Sequence, residues 1–386
     1  MRLILLATLA VVPGPSALSA QAIDSARLAS IRSFIEAQAA RDSFSGVVLI
    51  AHNGRTVLQH ASGLANKAHA VPNRVDTKFY LASMTKMFTG IAIAQLAEQG
   101  RLRFPDPVSR FVPEAAQSIG GRITIHHLLT HTSGLGSIWK PEYQRANHAL
   151  FRRVRDFFPL FIDDPPQFEP GERWAYSNAG YVLLGAVIEQ VTGQQYRDYV
   201  REHVFRRAGM TSALEDDVEV PVSNRAVPYT RNNWTMPGHA GYTSAESIGL
   251  ATMMPAGGAV ANAPDLLSFA NALAANRLLR VAYTDTVTRG KVTYRPGASY
   301  GYGFANEVVN GVRIIFHDGG ADGISTNLDI IPALGITAIV LSNYDPPAGR
   351  RIANHIRQVL TAQPMRNGND RNISPQSHLR SQGDAG

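Results

Sequence analysis

The 386-residue chain contains no cysteine. Disulfides, thiolate-held metals and a cysteine nucleophile are excluded at once. Basic side chains number 37 against 30 acidic ones, a formal charge of +7, yet no run of Lys or Arg concentrates the excess. A surface built to track phosphates is therefore absent from the pattern, and no nucleic-acid partner is expected. Beyond the first residues no apolar stretch approaches the ~20 residues that span a bilayer. There is no internal repeat and no heptad array. Charge is sparse at 17% and apolar residues make up 45%, which leaves ample material for a core. The length suits one large domain or two modest ones.

Both ends stand apart from the body. Arg2 precedes an apolar run over 3–12, then Pro13-Gly14-Pro15 and S-A-L-S-A-Q-A. That order of basic start, apolar middle and small residues marks 1–22 as an export leader, cut after Ala22 or Ala20. The mature protein is expected to be exported, periplasmic or secreted, with no stable membrane anchor. Residues 363–386 are polar and aperiodic and read as a disordered tail. Asn233-Trp234-Thr235 fits a glycosylation sequon, a frequent chance match.

The body, 23–362, has an uneven distribution of signals. Helical spacing over 23–40 is followed by two β-rich runs, 46–51 and 55–59, around Asn53-Gly54, a strong hairpin signal. Strand patterns return at 312–316, 327–331 and 336–341, with a last helix over 349–360. Helices are expected at 83–99, 123–129, 180–191, 196–205 and 264–274. Strands at both ends of a largely helical chain imply one antiparallel sheet built from about 44–62 and 296–343, flanked by helices. The intervening 83–290 would be a large, mainly helical insertion, and the fold class α/β (α+β).

Three polar segments stand out. Ser83 and Lys86 share one face at the start of an almost wholly apolar helix. A lysine is opposed there by the helix dipole and by burial, so it is worth having if it moves a proton or activates the serine. The plainer alternative is a Ser83 cap with Lys86 extended to water. Tyr176 and Asn178 sit where a Pro-Gly turn meets an apolar helix, and read either as site residues or as a packed tyrosine with an Asn cap. The run ending His317-Asp318-Gly319-Gly320 is either a strand that admits a substrate at its glycines or a glycine-rich hairpin loop. His126, His127 and His131 suggest metal ligands, but Leu128 stands where H-E-x-x-H has its glutamate; they read as ordering the loop to Gly134. Tyr300-Gly-Tyr-Gly-Phe304 reads as a strand edge or site wall.

Taken in order, Ser83-Met-Thr-Lys86, Tyr176-Ser-Asn178 and His317-Asp-Gly319 resemble the motifs of the serine β-lactamase and penicillin-binding-protein-like hydrolases, class C type, with their esterase, D-aminopeptidase and D-alanyl carboxypeptidase relatives. Phe79-Tyr-Leu-Ala-Ser83, 123–134, Phe168-Glu-Pro-Gly171 and 256–265 extend the resemblance over about residues 25–360. It implies a metal-free, cofactor-free serine hydrolase acting on a small-molecule or peptide substrate (ester, D-aminoacyl amide or β-lactam). Ser83 would be the nucleophile, and Lys86 with Tyr176 the proton-transfer pair. Asn178, His317 and Gly319 would bind substrate, and the backbone N–H groups of Ser83 and Gly320 would form an oxyanion hole. His317 replaces the lysine of dedicated class C β-lactamases, which favours esterase or D-peptidase-like chemistry. Asp318 places an anion where anionic substrates would bind. A protein that keeps the fold for binding or sensing without turnover is the rival reading. Neither the physiological substrate nor the oligomeric state is legible.

Overall fold

In the computed structural model, residues 23–115, 120–215, 221–232, 238–246 and 254–362 are described. The leader, the tail and the sequon lie outside them. The main sheet is formed, in chain order, by β1 (Gly46–His52), β2 (Arg55–Ser62), β3 (Val292–Arg295), β4 (Ala298–Tyr300), β5 (Ala305–Val309), β6 (Val312–Ala321), β7 (Ile324–Ile331) and β8 (Ile336–Ser342). Across the sheet they lie in the order β3-β4-β5-β6-β7-β8-β1-β2, every neighbouring pair antiparallel. The helices that concern the site and its support are α1 (Ser25–Ala40), α2 (Thr85–Glu98), α3 (Ile125–Leu129), α4 (Asn178–Thr192), α5 (Ala263–Ala274), α6 (Val281–Thr288) and α7 (Ala348–Thr361).

Strand β1 is apolar without alternation because both of its faces are covered. Val48 and Ile50 join Ile31 and Ile35 of α1 and Ile352 and Ile356 of α7 in one core. Val47 and Leu49 face the other way, into a larger core with Met87 and Ile91 of α2 and Phe269 of α5. The mixed α/β architecture is the one expected: an antiparallel sheet from both chain ends, two terminal helices on one face and the helical insertion on the other.

Helix α2 is the centre of the inner layer. Thr85 to Ala97 are all buried, which explains its apolar residues on every side. Phe88 meets Phe205 and Phe269 edge-on, each at 5.0 Å between ring centres. Two threonines of this helix bind one segment: Thr85 Oγ1 accepts from Ala259 N–H (3.0 Å) and Thr89 Oγ1 donates to Pro255 O (2.7 Å).

Several elements differ from the sequence-based expectation. The α-helix starts at Thr85, and Ser83 lies in a separate 3-10 turn, Ala82–Met84. Strand β6 does not stop at Phe316 but carries His317 to Ala321 onward, paired with β7. Strands β3, β4 and β5 and helix α6 lacked any apolar period: β3 alternates between exposed and half-buried positions at the sheet edge, and β4 has three residues. Ser177, not Asn178, caps α4, its Oγ accepting from Gly180 N–H at 3.2 Å.

A buried ion pair fastens α7 to the sheet. Arg357 grips both carboxylate oxygens of Asp329 (2.8 and 2.7 Å) and reaches Glu307 at 3.0 Å, with Phe316 beneath its guanidinium at 4.3 Å. Removing one partner strands the other charge in the core. Arg357→Met is therefore expected to lower the unfolding free energy by about 3–5 kcal/mol in urea titration; a change within experimental error would show the pair to be dispensable.

Candidate active site

The segment before α2 is held in a bent conformation. Ala82 has φ of 47°, a left-handed geometry that costs an alanine about 1–3 kcal/mol. The bend is held by neighbours: Leu81 N–H donates to Ala259 O (2.9 Å), and Thr326 Oγ1 on β7 donates to Leu81 O (3.0 Å). Strand β6 passes very close. A Cβ on Gly319 would lie 2.0 Å from Leu81 O and 2.4 Å from Thr326 Oγ1. The glycine expected to admit a substrate instead admits the chain's own backbone, and so brings β6 against the turn that carries Ser83. A Cβ on Gly320 would meet only Pro346 Cγ, at 3.1 Å.

Ser83, Lys86, Tyr176 and Asn178 converge. Lys86 is wholly buried. Its Nζ lies 3.3 Å from Ser83 Oγ, 2.7 Å from Asn178 Oδ1 and 2.7 Å from Ala256 O. It also sits 4.7 Å from the centre of the Tyr176 ring and 5.4 Å from that of Tyr181. Burial drives the lysine pKa far below its usual value, against a smaller upward pull from the Asp318 carboxylate. A neutral amine has two N–H bonds and one lone pair. The two short contacts are to oxygens that only accept, so they take the N–H bonds and leave the lone pair for the Ser83 hydroxyl.

Tyr176 leaves 41% of its surface open to the cleft, while its phenol end is enclosed. Desolvation raises its pKa strongly; a hydrogen bond with Ser83 pulls it down and Asp318 pushes it up. The phenol is thus neutral at rest. Asn178 opens α4, so its position is set by the cap at Ser177, and the Ser177 hydroxyl also donates to Gly136 O at 3.0 Å.

His317 is buried with both ring nitrogens engaged. Nδ1 lies 2.6 Å from its neighbour's carbonyl, Asp318 O, and must donate to it. Nε2 then accepts from the Tyr300 hydroxyl at 2.8 Å. Burial lowers its pKa to about 4, the Asp318 charge opposing and Lys86 reinforcing the shift. The ring is therefore neutral at neutral pH, and neither nitrogen is left over for a substrate carboxylate.

A family model for Beta-lactamase matches residues 31–363. The chain belongs to the Beta-lactamase family. It is 31% identical over 371 residues to Esterase EstB of Burkholderia gladioli, covering 84% of this chain and 93% of that protein. With Penicillin-binding protein 4* of Bacillus subtilis (strain 168) it shares 28% identity over 354 residues, 86% of this chain and 76% of the relative. The crystal structure of a penicillin binding protein from Bacillus halodurans superposes with a TM-score of 0.76 at 29% identity, covering 85% of this chain and 98% of that one. The resemblance read from the three motifs thus holds for the family.

Within this Beta-lactamase family member, His131 is a site residue that sequence reasoning set aside. It is fully buried at φ of 59°. Its ring lies 4.3 Å from that of Tyr176 and 4.7 Å from that of Tyr300, and its Nδ1 accepts from Ser177 N–H at 3.1 Å. The loop through His131 therefore sets the backbone and one ring face of the tyrosine segment. Its His-Thr-Ser-Gly run was visible, but not where it would fold. The Ala256 carbonyl was missed for a different reason: a backbone acceptor has no side-chain signature. His126 and His127 are engaged apart from it, His126 with the Tyr302 hydroxyl (2.8 Å) and His127 with Thr124 N–H (3.3 Å). Among the described residues no cluster of His, Asp or Glu could hold a metal, and no helix is long and apolar enough to cross a membrane.

The two buried imidazoles give a pH dependence. Burial lowers the pKa of His131 well below normal, and that of His317 to about 4. The unfolded chain takes up these protons near pH 6.5, the folded chain only at lower pH, so acid favours unfolding between those limits. Their stabilising share is present above pH 6.5 and is lost as pH falls toward 4. Thermal melts should show Tm dropping across that window, with a shallower slope in His317→Gln. An unchanged slope in that variant would remove His317 as a source.

Proposed function

We propose that this protein is a serine hydrolase that cleaves an ester or amide through an acyl-Ser83 intermediate. The observation that carries the reading is the buried Lys86 amine, 3.3 Å from Ser83 Oγ and 2.7 Å from each of two oxygen acceptors, Asn178 Oδ1 and Ala256 O; in its neutral form, with those acceptors taking its two N–H bonds, its lone pair is free for the Ser83 hydroxyl. Lys86 takes the hydroxyl proton as Ser83 Oγ bonds to the substrate carbonyl carbon. The bond to the leaving oxygen or nitrogen then breaks, and that atom receives a proton from the Tyr176 phenol, which regains one from Lys86. Water repeats the cycle on the acyl-enzyme: its oxygen bonds to the carbonyl carbon, the bond to Oγ breaks, Ser83 recovers its proton and the acid leaves.

The remaining residues support this order. The close approach of β6 to the Ser83 turn favours the N–H groups of Ser83 and Gly320 as the oxyanion hole, each donor worth roughly 2.7–4 kcal/mol. Asn178 spends its carbonyl on Lys86, which leaves its amide N–H groups for a substrate carbonyl. His317 acts on the site through Tyr300 and not by gripping a carboxylate, in keeping with esterase or D-peptidase-like chemistry. Likeness to Esterase EstB points the same way. The leader pattern supports action outside the cytoplasmic membrane.

Incubation with a fluorophosphonate or a fluorescent penicillin followed by peptide mass spectrometry should place the adduct on Ser83. Hydrolysis of a p-nitrophenyl ester should vanish in Ser83→Ala and fall roughly 10²–10⁴-fold in Tyr176→Phe. Protein that remains unlabelled and turns over substrate no faster than Ser83→Ala would replace the enzyme with a binding protein. Because the base must be unprotonated, kcat/KM should fall as pH drops through the lowered pKa of Lys86, and this acid limb should be lost with the activity in Lys86→Ala.

A further inference from the structure

Tyr176 must be in place to deliver its proton, yet 41% of its surface is open and packing alone does not fix it. One residue brackets it. The carbonyl of His131 accepts from Ala175 N–H at 2.9 Å, on one side of the tyrosine. Nδ1 of the same residue accepts from Ser177 N–H at 3.1 Å, on the other side. Between these two hydrogen bonds the imidazole lies against the phenol ring, with 4.3 Å between centres and 33° between planes. His131 makes all three contacts from a left-handed backbone, at φ of 59°.

The bracket is itself held. Tyr181, in the first turn of α4, donates to Leu129 O at 3.0 Å, and Ser177 Oγ donates to Gly136 O at 3.0 Å. The loop is thus tied to the head of α4 on both sides of His131. The imidazole does not relay a proton. With Nδ1 accepting from a backbone N–H, the proton of the neutral ring is on Nε2, and among the described residues Nε2 meets no hydrogen-bond partner. Burial, reinforced by Lys86 and His317, keeps the ring uncharged at neutral pH. What His131 supplies is placement.

We infer that His131 is a positioning residue for the Tyr176 phenol, and that it suits this protein to esters and amides whose leaving atom must be protonated; this second half rests on the hydrolase reading. As the carbonyl carbon releases the leaving oxygen or nitrogen, the phenol O–H bond breaks and that atom takes the proton. Protonated Lys86 then restores it. An alkoxide or an amide anion departs poorly without that proton, whereas p-nitrophenolate departs with little help. Displacing the donor by about 1 Å costs on the order of 10²-fold where the transfer is needed, and far less where it is not.

Two variants of the full chain isolate the side chain. Asparagine and glycine both tolerate a left-handed backbone. His131→Asn keeps a side-chain acceptor for Ser177 N–H, and His131→Gly removes acceptor and ring together. With p-nitrophenyl, phenyl and ethyl butyrate the acyl group is common and kcat/KM reports acylation. His131→Gly should lose at least about tenfold more kcat/KM on ethyl butyrate than on p-nitrophenyl butyrate, and His131→Asn should recover most of that difference. A smaller folded fraction depresses all three substrates alike, so the ratio reads placement. A crystal structure of His131→Gly needs no turnover, and should show the Tyr176 hydroxyl displaced relative to Ser83. Equal losses on all three esters, or a Tyr176 that has not moved, with Ser83 still labelled by fluorophosphonate, would overturn the inference and leave the hydrolase standing. A displaced Tyr176 in a protein whose Ser83 never labels would sustain the bracket and overturn the hydrolase.

Discussion

An amine sealed from water is the constraint around which this molecule is arranged. Lys86 cannot hold its proton cheaply inside a helix that is buried along nearly its whole length. Its two N–H bonds therefore need acceptors, and these come from parts of the chain that are remote in sequence: Asn178 at the head of α4 and Ala256 in the segment before α5. Thr85 and Thr89 bind that same segment on either side of the lysine. Two remote stretches of chain are thus located by one helix turn, and the third contact of the amine is with Ser83, at 3.3 Å.

The sheet completes the arrangement by proximity. Strand β5 accompanies β6 only as far as the Ala305–Phe316 pair. From His317 to Ala321 strand β6 is paired on its β7 side and otherwise borders the cleft. Gly319 lets this free margin approach Leu81 so closely that no larger residue fits. The Arg357–Asp329–Glu307 cluster ties the outer helix to β7 and β5, the strands beside that margin, so support for the site reaches through the sheet to its far face.

Legibility in the sequence followed physical cause. Elements with a buried face announced themselves: β1, β7 and β8 by apolar runs, α1 by apolar residues at helical spacing, and α2 by being apolar on nearly every side. Strands β3 to β5 did not: β3 is an edge strand whose exposure alternates, and β4 and β5 are only three and five residues long, too short for a clear apolar run. Ser83, Lys86, Tyr176 and Asn178 were found as short polar patterns in apolar surroundings. The Ala256 carbonyl, the left-handed Ala82 and the saturation of His317 by Tyr300 and Asp318 O are properties of backbone geometry and tertiary contact, which residue identity does not encode locally. Gly319 was read as a place for substrate because it lacks a side chain; the structure fills that space with the backbone of Leu81.

The pairing of β1 with β8 has a consequence for how the molecule comes into being. Ser342 donates to the carbonyl of Ser45, 297 positions earlier, at the seam where the two ends of the sheet join. During synthesis the first hairpin emerges early and must wait, one flank unsatisfied, until β8 has been made. Closure of that seam is a late, long-range event with a high entropic barrier. Until then the helical insertion lacks the completed sheet against which it packs.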